Sequence, residues 1–380
     1  MRGTWMDYTA DTVLRVAQRY NNEKRTYLLV NPLQGKHMPV APHAALAMMA
    51  ALGRRVAAAY PTARLVIGFA ETATAIGGIV AQELDPSCTY VQTTREQSRG
   101  RRRIEFLEEH SHAPEQWIAA EAVEAAIART DTVVFVDDEL STGRTLCNII
   151  RRMQEALPAL REKKLVAASL LNRLTAADTA RLRAHGAESI ALVQLPAGDY
   201  AAQVERIVVR APEDTVPSAE TPAPHMLLAP AYPSPRGGVG IGDYAAHWQT
   251  LGRRLAAQLP WTAEERVLVL GTEECMLPGL LVGRALADAG CTAVFFHATT
   301  RSPIGIADAA DYPIRMGRRL QSLYETERTT YIYNLAAYDH VLIVTDAPQG
   351  QEMEAGLRSL CAALGESGCT DVVCMAAGGA

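Results

Sequence analysis

Residues 133–145 read VVFVDDELSTGRT, and this run constrains the fold more tightly than any other part of the chain. An apolar, largely β-branched stretch is the signature of a buried strand; a turn of small residues then opens a helix. Strand, turn and helix in that order belong to a parallel sheet covered by helices, where ligands sit beyond the carboxyl ends of the strands. Asp137 and Asp138 therefore fall in the expected crevice, where carboxylates accept hydrogen bonds from the vicinal hydroxyls of a ribose. Behind them, Ser141, Thr142, Gly143, Arg144 and Thr145 suit a phosphate: N–H groups at a helix N-terminus carry the positive end of its dipole. Gly143 allows close approach of the backbone, the hydroxyls donate, and Arg144 adds charge. A loop that holds both a diol and a phosphate implies a ribose-phosphate ligand.

The rest of the chain repeats the same grammar. Strands are expected at 27–30, 65–67, 89–92, 133–136, 165–169 and 190–195, with helices at 44–60 and 141–157 among them. The composition then turns rich in Pro, Ser and Gly between about 211 and 240, the mark of a linker. Strand and helix signals resume at 267–270, 278–289, 293–297 and 341–345. The fold class is thus α/β, a parallel sheet flanked by helices followed by a second α/β domain, divided as 1–210, a linker 211–224, and 225–380. The halves echo each other. LGRRVAAAYP at Leu52 returns as LGRRLAAQLP at Leu251, a Thr-Thr-Arg triplet recurs at Thr93 and Thr299, and VVFVDDELSTG is answered by VLIVTDAPQG. A degenerate repeat of the first domain would account for this, and would let one chain imitate a homodimer.

Composition narrows the function. With 48% hydrophobic and 21% charged residues the chain can bury a real core. A net charge of −5 argues against a nucleic-acid partner, which needs a basic surface. Seven scattered cysteines in apolar contexts read as reduced, buried thiols, and neither a zinc-ligand spacing nor a leader or membrane span is visible, so a cytoplasmic protein with no membrane partner is expected.

The 133–145 run resembles the phosphoribosyl pyrophosphate (PRPP) motif of type I phosphoribosyltransferases. With LQGKHMPV around Lys36, EEHSH at 108–112, and Thr300-Arg301-Ser302-Pro303, the chain is similar to the phosphoribosyltransferases of bacterial tellurite-resistance-type stress gene clusters, whose C-terminal TRSP domain is named for the last motif. The resemblance implies transfer of phosphoribose from PRPP to a base-like acceptor, with Mg2+ as cofactor and pyrophosphate released. It implies that Glu71, Thr72, Ala73 and Thr74 form the pyrophosphate loop, with Glu71 orienting the loop or a metal-bound water. The basic stretch 93–106, with Arg95 and Arg99, would close over the leaving group. Lys36 and His37 would contact acceptor or pyrophosphate. His110 or His112 could move a proton on the acceptor, and Asp137 and Asp138 would hold Mg2+, directly or through water.

The second half lacks a hydroxyl-rich phosphate turn where the first has one, yet Glu273, Glu274, Thr300, Arg301 and Ser302 lie on polar loops at strand ends. They are candidates for a second site or for an interface. The alternative to a transferase is a protein that binds PRPP or a nucleotide as a sensor without turnover. The acceptor base is not legible in the residues.

Overall fold

The computed structural model describes residues 7–22, 25–97, 102–107 and 115–377. A short helix α1 (Ala10–Val13) leads into an antiparallel hairpin, β1 (Arg15–Gln18) with β2 (Tyr27–Val30). Helix α2 (Pro42–Ala59) opens on a proline, which has no N–H to lose in a first turn. Then come β3 (Leu65–Gly68), α3 (Thr74–Leu84), β4 (Thr89–Gln92), a hairpin of β5 (Arg103–Leu107) and β6 (Glu115–Ala119), α4 (Ala120–Ile127), β7 (Thr132–Leu140), α5 (Arg144–Ala156), β8 (Lys164–Asn172), α6 (Ala176–Ala184) and β9 (Ala187–Gln194). The first sheet has the order β12-β4-β3-β7-β8-β9, parallel except at β12 (Val239–Gly240), which pairs antiparallel with β4. Its central strands are covered on both faces, so β3 is buried throughout, as is the apolar start of β7.

The second half begins with β10 (Glu213–Asp214) and β11 (His225–Ala229). After β12 come α7 (Ile241–Gln258), β13 (Arg266–Gly271), α8 (Met276–Asp288), β14 (Ala293–Ala298), β15 (Gly317–Gln321), β16 (Thr329–Tyr333), β17 (His340–Thr345), α9 (Gln351–Glu366) and β18 (Asp371–Ala377). Its parallel sheet runs β11-β18-β17-β13-β14. The segment expected as a linker lies along this half, with β10 pairing β15, and just before it Arg210 bridges to Ile306.

Four strands of one sheet, β4-β3-β7-β8, follow the same spatial and chain order as β14-β13-β17-β18. The fifth position breaks the match: β9 follows its neighbour in the chain, whereas β11 precedes all the others. The repeated Leu-Gly-Arg-Arg has a packing reason in both halves. A Cβ on Gly53 would come within 2.7 Å of Glu83 on α3, and one on Gly252 within 2.7 Å of Ala285 on α8. Glycine is what lets each helix pair cross so closely.

One apolar cluster runs through both halves, joining Leu52, Ile76 and Ile79 of the first to Trp248, Leu277 and Leu281 of the second. A smaller one packs Leu28 and Val30 of the amino-terminal hairpin against Ile304, Ile306 and Tyr333. All seven cysteines are buried and free. Among the described residues no helix is long and apolar enough to cross a membrane.

Two boundaries beside Asp137 and Asp138 differ from the sequence expectation. β7 continues through both aspartates to Leu140, because the ladder to β8 persists at Asp137–Ser169, Glu139–Leu171 and Leu140–Asn172. Helix α5 accordingly begins at Arg144 instead of Ser141, after Gly143 turns the chain with a φ of 67°.

Candidate functional site

The end of β7 presents its side chains alternately. Glu139 pairs with Arg25 at 2.6 Å and Arg173 at 2.7 Å, while Asp138 accepts a hydrogen bond from the Thr72 hydroxyl at 2.9 Å. The Asp138 N–H donates to Asp137 Oδ1 at 2.9 Å. Burial, then the neighbouring Glu139 carboxylate, pushes the Asp138 carboxyl above the usual range. Beyond it, Ser141, Thr142, Gly143 and Thr145 are half-buried and Arg144 is exposed. The Thr142 carbonyl is held by Arg181 at 3.2 Å. Helix α5 starts on a glycine with no acidic residue in its first turn, and the Thr142 hydroxyl accepts the Arg144 N–H at 3.4 Å, so no carboxylate of its own first turn neutralises the positive end of the helix.

The loop after β3 reaches this point through Thr72. Its other groups are fixed from below: the Ala70 N–H donates to Thr93 Oγ1 at 2.8 Å, Gln116 Nε2 donates to the Ala70 carbonyl at 2.9 Å, and Gln34 Nε2 to the Thr72 carbonyl at 2.8 Å. Ala73 and Thr74 are buried, and the Thr74 carbonyl accepts from the Tyr90 hydroxyl. The backbone N–H groups of Glu71 and Thr72 have no hydrogen-bond partner among the described residues.

Glu71 turns away from the open side. Its Oε1 accepts from Lys36 Nζ at 2.5 Å and from the Arg301 N–H at 3.2 Å; the Arg301 Nε lies 3.2 Å from Oε2. That Nε–H is directed elsewhere, to Glu273 at 2.6 Å, so Oε2 feels the guanidinium's charge without a hydrogen bond. Burial works against the Glu71 charge, yet Lys36 and Arg301 outweigh it and hold the carboxyl at about 2. Lys36 is 0% exposed, and its three protons meet three acceptors, Glu71 and the carbonyls of Glu273 and Thr299. His37 is buried beside it, and burial followed by the Lys36 charge depresses its imidazole to about 3.

Lys36 and Arg301 belong to a larger charged network, where the loops after β3 and β4 meet those after β13 and β14. Glu273 and Glu274, each 1% exposed, are its centre. Glu273 accepts from Arg301, from Arg328 at 3.1 Å and from the Ser322 hydroxyl. Glu274 accepts from Thr94 at 2.6 Å, from the Arg95 N–H at 3.0 Å and from Arg236 at 3.0 Å. Arg236 also grips Asp346, and Glu96 bridges Arg301 and Arg328. Among the described residues five largely buried carboxylates thus meet four cations, and the exposed Glu325 adds a sixth on Arg328. The excess negative charge falls on Glu96, whose carboxyl burial and then Glu274 push up to about 7 against the pull of the two arginines.

The structure therefore joins Asp138 to Thr72, and Lys36 and Glu71 to Arg301 and Glu273. Thr300 and Ser302 build the turn that carries Arg301: the Thr300 hydroxyl accepts the Ser302 N–H at 3.2 Å, and the Tyr333 hydroxyl donates to the Ser302 carbonyl at 2.7 Å. Arg99, His110 and His112 lie outside the described residues. Sequence reasoning missed Glu96, Arg236, Arg328 and the part played by Asp346. Glu96 stands among arginines and Arg236 among prolines and glycines, so neither carries a motif.

Residues 13–198 match the family described as phosphoribosyl transferase, and residues 241–364 match the TRSP domain found C-terminal to it. No curated protein matches the chain. Among solved structures, it is similar to an APRTase of Giardia lamblia complexed with 9-deazaadenine, at 15% identity over 50% of this chain and 97% of that one, with a TM-score of 0.37. An adenine phosphoribosyltransferase of Rhodothermus marinus is 18% identical over 49% of this chain and 96% of its own, at 0.36. Another, of Trypanosoma brucei in complex with AMP, pyrophosphate and ribose-5-phosphate, is 15% identical over 48% and 76%, at 0.34.

Proposed function

Since the chain belongs to the family that joins a phosphoribosyl transferase domain to a C-terminal TRSP domain, we propose that it transfers phosphoribose from PRPP to a nitrogen of a base-like acceptor. Residues 1–210 are the transferase part and 225–380 its intrachain partner. The observation that carries the reading is the pairing of Asp137 and Asp138 with the start of α5, which has no acidic residue in its first turn, across Gly143. A diol and a 5′-phosphate need those two features, a few residues apart.

In the reaction a C–N bond forms at the anomeric carbon, the C–O bond to pyrophosphate breaks with its electron pair, and the acceptor nitrogen gives up a proton. Asp137 and Asp138 hold the ribose hydroxyls. Residues 141–145 hold the phosphate, and the free N–H groups of Glu71 and Thr72 receive the departing pyrophosphate. Positioning and fixed dipoles supply most of such a rate enhancement. Mg2+ fits the donor set: two carboxylates offer hard oxygens but too few for a full cage, which suits a cation that keeps waters and arrives with its substrate. A cation there would also draw Asp138 back to its charged form. When bound, the ion would neutralise charge building on the pyrophosphate oxygens.

The test is calorimetric titration of PRPP with Mg2+ into the wild type and Asp137→Asn/Asp138→Asn, followed by an assay of pyrophosphate release with a panel of bases. The double change is expected to weaken binding about 100-fold or more, as for losing two charge-assisted hydrogen bonds of about 1.5–3 kcal/mol each. Wild type that binds PRPP but releases no pyrophosphate with any base would replace the enzyme with a sensor. No binding at all would sink both.

A further inference from the structure

The TRSP motif contributes one side chain to the transferase half. Thr300 exchanges backbone hydrogen bonds with Tyr331 at 2.9 and 2.7 Å, the Pro303 carbonyl accepts the Tyr20 N–H at 3.0 Å, and the Tyr333 hydroxyl ties Ser302 to the Ile304 N–H. Three residues of the motif are thus frame. Arg301 projects from that frame across to the first half, where its N–H and guanidinium meet Glu71 and its Nη2 meets Glu96.

These contacts sit at two significant places. Glu71 heads the loop whose own N–H and that of Thr72 are unspent among the described residues, and Glu96 lies in the basic stretch after β4. Arg301 itself is only 13% exposed and two of its donor groups are spent on carboxylates, so it is poorly placed to bind an anion directly. What it can do is hold Glu71 turned inward. A carboxylate swung outward would place a negative charge beside the pyrophosphate oxygens, and Lys36 and Arg301 together keep it away.

We propose that Arg301 is a positioning residue of the transferase site: from the second half it fixes Glu71 inward and so shapes the loop that receives pyrophosphate. This rests on the phosphoribosyl reading above. It gives the second half a role in the first half's chemistry, with no separate ligand of its own required at the TRSP turn.

The experiment titrates inorganic pyrophosphate with Mg2+, and separately ribose 5-phosphate, into the full chain as wild type, Arg301→Lys, Glu71→Gln and the double variant. Ribose 5-phosphate reads the loop after β7, pyrophosphate the loop after β3. Arg301→Lys is expected to weaken pyrophosphate by about tenfold or more, and the double variant to recover most of that loss, because a neutral glutamine brings no charge to the pyrophosphate. Ribose 5-phosphate should change by less than about twofold. Where Arg301→Lys fails to fold, the same selective loss in Arg301→Met carries the test. Unchanged pyrophosphate binding, or an equal loss of both ligands, overturns the proposal while leaving the transferase reading intact. A wild type that binds neither ligand overturns both.

Discussion

Glu96 makes the charged network sensitive to pH. Its carboxyl rises from 4.5 to about 7 because it is buried beside Glu274, with Glu273 adding to the effect and Arg301 and Arg328 opposing it. The folded chain therefore keeps a proton that the unfolded chain releases, and the stabilisation is complete below about 4.5 and lost as pH rises through about 7. Glu96→Gln keeps the neutral form at every pH. Its unfolding free energy, measured in urea against wild type, should shift in the variant's favour by about 1–3 kcal/mol between about pH 5 and pH 8. A pH-independent difference would mean that Glu96 is already ionised in the folded protein. At this scale the sequence was legible where chemistry is contiguous, as in Asp137 and Asp138. It was silent where partners come from far apart. Lys36 looked like a loop residue facing an anion, yet it is fully buried with all its protons taken, and a buried charge leaves no local signature.

Among the elements, the turn between β7 and α5 depends most on a single residue. Gly143 has a φ of 67°, and a Cβ there would touch only Leu174 at 3.5 Å. Space is available but the backbone conformation is unfavourable for any other residue, so Gly143→Ala should cost about 1–2 kcal/mol of stability. Ribose 5-phosphate binding should fall with it in the same titration; retained binding would show that the turn does not need its left-handed residue. Strands and helices built on long apolar runs were readable to within a few residues. The helix start at 144 was not, because Ser141 and Thr142 look like caps and the continuing β7 ladder overrides them. The β5–β6 hairpin was also missed: only Ile104 and Phe106 alternate inward within a strongly basic stretch, too short a period to outweigh the charge.

For the whole molecule, two α/β units were legible and their union was not, since each contact between them pairs residues remote in the chain. A Cβ on Gly78 of α3 would fall 2.3 Å from Leu277 of α8. Gly78→Ala should therefore destabilise by about 1–3 kcal/mol through overpacking. Because one apolar cluster serves both halves, the first half and second half should lose structure together, as one calorimetric peak in wild type and variant alike. Two separated peaks would show that the shared cluster does not couple them. The same union governs how the protein is made. Lys36 finds its carbonyl partners 237 and 263 residues further along, which at about 5–20 residues per second is a wait of roughly 12–50 s on the ribosome. A message broken before the codon for Arg301 yields a chain whose Glu71 lacks one of its two cations.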